Sequence, residues 1–142
     1  MALRVVVVED DRSIRELLEE VLAMFGLDAV GISHPDVVLD VARHRAPDLF
    51  LIDVMLPKTS GIEVAEDLRR NGFAQTPMVA LSASSIMQDL ARHSGVFDGV
   101  LAKPFDIDRL LATIQEAVID AARYRQTVSG NGETVPASRA EI

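Results

Sequence analysis

A chain of 142 residues is the size of one domain and long enough to bury a sizeable core. Hydrophobic residues make up 49% and charged residues 25%, the balance of a globular protein. The lack of cysteine excludes a disulfide framework, a thiolate metal site and a cysteine nucleophile. A net charge of −8 argues against nucleic-acid binding, which needs a basic face to neutralise phosphates. No apolar run approaches the roughly 18 residues of a membrane span. Met1-Ala2-Leu3-Arg4 leads straight into a strand, so neither membrane nor signal peptide is expected and the default location is cytoplasmic.

Leu3 to Val8 is β-branched and unbroken except at Arg4, as suits a central parallel strand, and it ends in Glu9-Asp10-Asp11. Ile14, Leu17, Leu18, Val21, Leu22 and Phe25 then mark an amphipathic helix, with Glu16, Glu19 and Glu20 on its other face and Gly26 as its stop. A short strand is expected over Asp28 to Ile32. A helix follows, capped by Ser33 or Asp36, with Pro35 in its first turn and Val37, Val38, Val41 and Ala42 inward. Ala46-Pro47-Asp48 turns into a third strand, Leu49 to Ile52, where Asp53 stands at the end of an apolar run and Pro57 forbids simple continuation. The loop Lys58-Thr59-Ser60-Gly61 opens a third helix carrying Ile62, Ala65 and Leu68, stopped by Asn71-Gly72. Met78 to Leu81 is a fourth strand ending at Ser82, followed by a helix around Ser85 to His93 with Ile86, Met87 and Leu90 as its apolar side. Gly99 to Ala102 is the fifth strand, ending in Lys103-Pro104-Phe105. The last helix carries Ile107, Leu110, Leu111, Ile114, Ala117, Val118 and Ala121. From about Gln126 the periodicity stops, so residues 1–125 read as the folded unit and 126–142 as a flexible tail or shortened linker.

Strands alternating with helices give an open, doubly wound parallel α/β sheet with helices on both faces. Ligands bind such sheets at the carboxyl ends of the strands. Here those ends carry Glu9 and Asp10, Asp53, Ser82 and Lys103, and Lys103 stands out because the chain has only one other lysine, Lys58. Carboxylates crowded together repel, by about 4 kcal/mol at roughly 4 Å and an effective dielectric of about 20. A hard divalent cation such as Mg²⁺ relieves this through carboxylate, carbonyl and water oxygens. A lysine and a hydroxyl opposite the acids suit the oxygens of a phosphoryl group, with Asp53 as the nucleophile towards phosphorus.

From Leu3 to Arg123 the chain resembles the receiver domain of two-component response regulators. The likeness rests on Val-Val-Val-Val-Glu-Asp-Asp, Leu-Ile-Asp-Val-Met-Leu-Pro-Lys-Thr-Ser-Gly, Ala-Leu-Ser-Ala and Leu-Ala-Lys-Pro-Phe, in that order. Each motif is short, but together and on these elements they are specific. The resemblance implies a flavodoxin-like strand order 2-1-3-4-5 and phosphorylation of Asp53, with Mg²⁺, by a histidine kinase or histidine phosphotransfer protein. Such a domain is a phosphoacceptor that catalyses its own phosphorylation and dephosphorylation, not an enzyme acting on a separate substrate. It signals by changing its binding surface for a downstream protein target. Carried over by residue, Asp10 and Asp53 would hold the metal directly, Met55 through its backbone carbonyl and Glu9 through water. Ser82 takes the switch position and Lys103 pairs with the phosphoryl group. Asp11 remains a helix-start acid. The Lys103-Pro104 bond is cis in many receivers.

Two departures stand out. Receivers usually carry an aromatic three positions before the lysine, where this chain has Val100. The stretch from Ser82 to Lys103 is also about a residue shorter than usual, with Gly95 displaced and Phe97 at a non-matching place. The histidines His34, His44 and His93 lack ligand spacing and read as surface residues. Arg43-His44-Arg45 and Arg69-Arg70 read as helix-end charges. A flavodoxin-like flavin carrier would need a glycine- and hydroxyl-rich phosphate loop where Glu9-Asp10-Asp11 would repel phosphate. A phosphatase of the haloacid dehalogenase type would need its nucleophile on the first strand and a second Asp where Met55 stands. A pseudo-receiver that binds partners without phosphorylation would not need the complete set of phosphorylation residues present here.

Overall fold

The alternation of side chains along a strand decides which helix each strand residue meets. In the computed structural model, which describes residues 2–131 with side chains as far as Tyr124, five parallel strands pair in the order β2-β1-β3-β4-β5. They are β1 (Arg4–Val8), β2 (Asp28–Ile32), β3 (Leu49–Asp53), β4 (Met78–Ser82) and β5 (Gly99–Ala102). The helices are α1 (Arg12–Met24), α2 (Val38–His44), α3 (Gly61–Arg70), α4 (Ser85–Ser94) and α5 (Ile107–Asn131). Val5, Val7, Leu49, Leu51, Val79 and Leu81 pack with Leu18 and Leu22 of α1 and with Leu110, Ile114 and Ala117 of α5. Val6, Val8, Phe50, Ile52 and Ala80 face the other way, onto Ala42, Val64, Leu68 and Ala91 of α2 to α4. Burial on both faces is why β1, β3 and β4 are continuous apolar runs. It also leaves their carboxyl ends as the place where polar side chains can gather.

Helix starts follow the expected chemistry in most places. Asp11 caps α1, its Oδ1 accepting from the Ile14 amide at 3.1 Å. Ser60 and Ser84 cap α3 and α4 in the same way. Neither Ser33 nor Asp36 caps α2. Ser33 is instead bonded to His34, and a 3₁₀ turn over Pro35–Val37 leads into the helix, so the tight turn replaces a side-chain cap. At its other end α5 runs to Asn131, beyond the place where the apolar period stops. The last part of the expected tail, 132–142, lies outside the described residues.

Several residues expected inward are on the surface. On α1 only Leu18 and Leu22 are buried, while Leu17 and Phe25 are about half exposed (56% and 52%). One sheet covers a narrow stripe of a helix, and Phe25 lies past the last turn. On α4 it is Ala91 that reaches the core, while Ile86 and Leu90 face outward at 71% and 51% exposure. Val37 and Ile107 are exposed too, the first in the 3₁₀ turn and the second at the opening of α5.

Arg69 is more than a helix-end charge. Its guanidinium is largely buried and donates to the carbonyls of Phe73, Ala74, Thr76 and Val96, at 2.7 to 3.2 Å, and to Asp98 Oδ2 at 3.1 Å. Burial pulls its pKa down to about 10. Asp98 also accepts from the Met78 amide at 2.8 Å, so one cation ties the end of α3 to the entries of β4 and β5. Arg69→Ala should lower unfolding free energy by about 3 kcal/mol, because it removes the counter-charge of the partly buried Asp98 and the donor to several carbonyls. Arg70→Ala, at an exposed ion pair, should stay within about 0.5 kcal/mol. Urea unfolding of the two variants checks this, and equal midpoints would show that the Arg69 network carries no stability.

Candidate functional site

The carboxyl ends of β1, β3, β4 and β5 converge on one lysine. Asp53 closes β3 and is buried, its Oδ1 accepting from the Met55 amide at 2.9 Å and its Oδ2 from Lys103 Nζ at 2.8 Å. Glu9 follows β1 and its amide donates to the Ile32 carbonyl at 3.0 Å, which extends the strand and sinks the side chain completely. Its Oε1 accepts from the same Nζ at 2.6 Å. Asp10, next in the chain, is exposed at the rim. One carboxylate oxygen from each of Glu9, Asp10 and Asp53 lies within 4.8 Å of the other two.

The electrostatics reflect this crowding. Burial pushes the Glu9 carboxyl up to about 7, the nearby Asp53 adds to the rise and Lys103 works against it. For Lys103, burial disfavours the charged form, but the hydrogen bonds to Asp53 and Glu9 outweigh it and its pKa is raised. Glu9 Oε2 is buried with no hydrogen-bond partner among the described residues. An orphaned, buried carboxylate oxygen beside two further acids fits a hard cation, directly or through its bound water.

Ser82 closes β4 beside this cluster, 1% exposed, but its hydroxyl is turned to the loop. Oγ accepts from the Ser84 amide at 3.1 Å and lies 3.4 Å from the Ser84 carbonyl. The Met55 side chain is exposed and leaves only its backbone at the site. The Lys103-Pro104 bond is cis. Val100 is half-buried against the core cluster that contains Ala80, Ala91 and Phe97, so Phe97 is a core residue here. The histidines His34, His44 and His93 are exposed, as their spacing suggested.

Two supports of the site were not read from the sequence. A Cβ at Gly61 would lie 2.8 Å from Val54 Cα and closer still to the Asp53 carbonyl, so only glycine lets α3 start against the back of the acid strand. A glycine at a helix start looks locally like any cap, and the clue lay in its short distance from a strand end. Arg15 donates to the Glu9 and Asp10 carbonyls at 3.0 and 3.3 Å, its stem lying where a side chain on Gly31 of β2 would sit. Glu19, expected on the wet face of α1, accepts from the Gly31 amide at 3.3 Å.

The comparisons agree with this geometry. Residues 5–115 match the family described as the Response regulator receiver domain. The chain is 34% identical over 116 residues to Response regulator MprA of Mycobacterium tuberculosis, a match over 81% of this chain and 50% of that protein. The chain thus spans about half the length of the curated relatives it matches. Chemotaxis protein CheY4 of Vibrio cholerae superimposes with a TM-score of 0.76 at 26% identity, over 82% of this chain and 99% of that one. Response regulator TrrA of Thermotoga maritima, solved in complex with Mg²⁺ and BeF, gives 0.73 at 30% identity over 82% and 99%. The five-stranded parallel sheet of order 2-1-3-4-5 matches the fold of these structures, and the chain belongs to the response regulator receiver domain family.

Proposed function

We propose that this receiver takes a phosphoryl group from a phosphohistidine donor onto Asp53 and changes its protein-binding surface in response. The observation that carries the reading is the Lys103 ammonium, held 2.8 Å from Asp53 and 2.6 Å from Glu9 at the open end of the sheet. In the transfer an Asp53 carboxylate oxygen bonds to phosphorus while the phosphorus–nitrogen bond to the donor imidazole breaks, its electron pair staying on that nitrogen. Lys103 is already in place to balance charge on the phosphoryl oxygens, and Ser82 has a hydroxyl that can turn to one of them. Mg²⁺, held by Asp10, Asp53 and the Met55 carbonyl and by Glu9 through water, would supply charge neutralisation on the same oxygens. The protein then serves as substrate and catalyst of its own modification and acts on no separate substrate.

The partners on this reading are a histidine kinase or histidine phosphotransfer protein upstream and a protein target downstream. The net charge of −8 speaks against nucleic acid as a partner of this domain. Among the described residues no helix is long and apolar enough to cross a membrane, in keeping with a cytoplasmic place for the domain. A binding module independent of phosphorylation is not favoured, because Glu9, Asp10, Asp53 and Lys103 are brought together as the chemistry requires.

Incubation with acetyl phosphate and Mg²⁺ should add one phosphoryl group to the wild type and none to Asp53→Asn, read by intact mass. Equal labelling of the two proteins would remove Asp53 as the acceptor. Mg²⁺ should also raise the melting temperature, since a ligand bound only by the folded state stabilises it. At about ten times its dissociation constant the gain is about 1.4 kcal/mol, a rise of a few degrees. Asp10→Asn should lose most of that rise in a thermal melt with and without Mg²⁺. An unchanged rise would place Asp10 outside the metal site.

A further inference from the structure

The carbonyl of Ser82 accepts two hydrogen bonds, and they come from different sides of the molecule. One donor is the backbone amide of Lys103 at 2.9 Å. The other is the side chain of Gln88, one turn into α4, whose Nε2 also lies at 2.9 Å. A carbonyl can only accept, so the group facing it must be the amide NH₂ of Gln88. Gln88 is half-buried, and its own backbone amide donates to the Ser84 carbonyl at 2.9 Å. Ser84 Oγ in turn accepts from the Met87 amide at 3.3 Å.

These bonds join the end of β4, the backbone of the site lysine and the first turns of α4, and they respond unequally to events at Asp53. If Ser82 Oγ turns towards a phosphoryl group, the Ser84 amide loses its acceptor and the corner before α4 must rearrange. The Ser82 carbonyl keeps Gln88, so α4 follows the strand end. Val100 is in register with Ala80 on the neighbouring strand and is short and stiff, with no ring that could swing between two positions.

Resting on the phosphoacceptor reading above, we propose that Gln88 is a positioning residue that ties α4 to the strand end bearing Ser82 and to Lys103, so that phosphorylation of Asp53 reaches the exposed Ile86 and Leu90 through this side-chain bond. Gln88 touches neither the phosphoryl group nor the metal residues. Its role is to make the helix move with the carbonyl it holds.

Amide shifts of the ¹⁵N-labelled full chain, with and without Mg²⁺ and beryllofluoride, test this in wild type, Gln88→Met and Gln88→Lys. Methionine keeps the volume without a donor, and lysine restores a donor. In wild type, shifts should appear at Ser82 to Ser84, at Lys103 and along α4 to His93. In Gln88→Met those at Ser82 and Lys103 should persist, while those from Met87 to His93 fall below half their wild-type size. Gln88→Lys should recover them. Undiminished α4 shifts in Gln88→Met, or a lysine variant that behaves like the methionine one, would overturn the role of Gln88. So would wild-type shifts centred on Gly99 to Leu101 with a quiet α4. A wild type that does not respond at Asp53, Ser82 and Lys103 overturns the phosphoacceptor reading itself.

Discussion

One ammonium group shared by two buried carboxylates holds the working end of this protein together. Glu9 and Asp53 close adjacent strands and lie where water cannot solvate them, an arrangement that is strongly unfavourable without a counter-charge. Lys103 supplies that charge from the far end of the chain, with Nζ within 2.8 Å of both acids. Even so, burial wins at Glu9, whose pKa stands at about 7. Three carboxyl groups face one ammonium, and Glu9 Oε2 has no hydrogen-bond partner among the described residues, the conditions under which a cation adds stability.

The sheet makes this meeting possible. Because β1 and β3 are neighbours and β4 and β5 follow on one side, residues separated by 94 and 50 positions in sequence end up around a single nitrogen. The two-faced core keeps the strands from shifting, since a slip by one residue would turn every core side chain to the opposite face. At the opposite end of the strands Arg69 performs a comparable task, donating to loop carbonyls while Asp98 accepts from it and from the Met78 amide.

The corner between β4 and α4 is built differently from this frame. The Ser82 hydroxyl is committed to a backbone amide two residues on, and α4 sends only a small residue, Ala91, fully into the core. Phe97 fills the core cluster against which Val100 packs, so ring volume lies near the fifth strand although the position before the lysine lacks an aromatic.

The alternation of strands and helices, the limits of the strands to within a residue or two and the polar residues at four strand ends were legible from sequence alone. Each is a local matter: an apolar period of two or 3.6, a cap, or a charge that interrupts an apolar run. The meeting of Glu9, Asp10, Asp53 and Lys103 was legible because a parallel sheet leaves strand-end residues nowhere else to go. Other features had no local signature. Arg69 and Arg70 are identical as letters at a helix end, and only the loops packed around α3 make one a buried tie and leave the other in solvent. Leu17 and Ile86 belong to apolar stripes as surely as Leu18 and Ala91 do, but how much of a stripe is covered depends on the width of the sheet beneath it. Gly61 and Gln88 owe their roles to a carbonyl on another element. Those roles came into being only when the strands were laid side by side, because a hydrogen bond or a steric limit between distant residues exists only once the fold has set their distance.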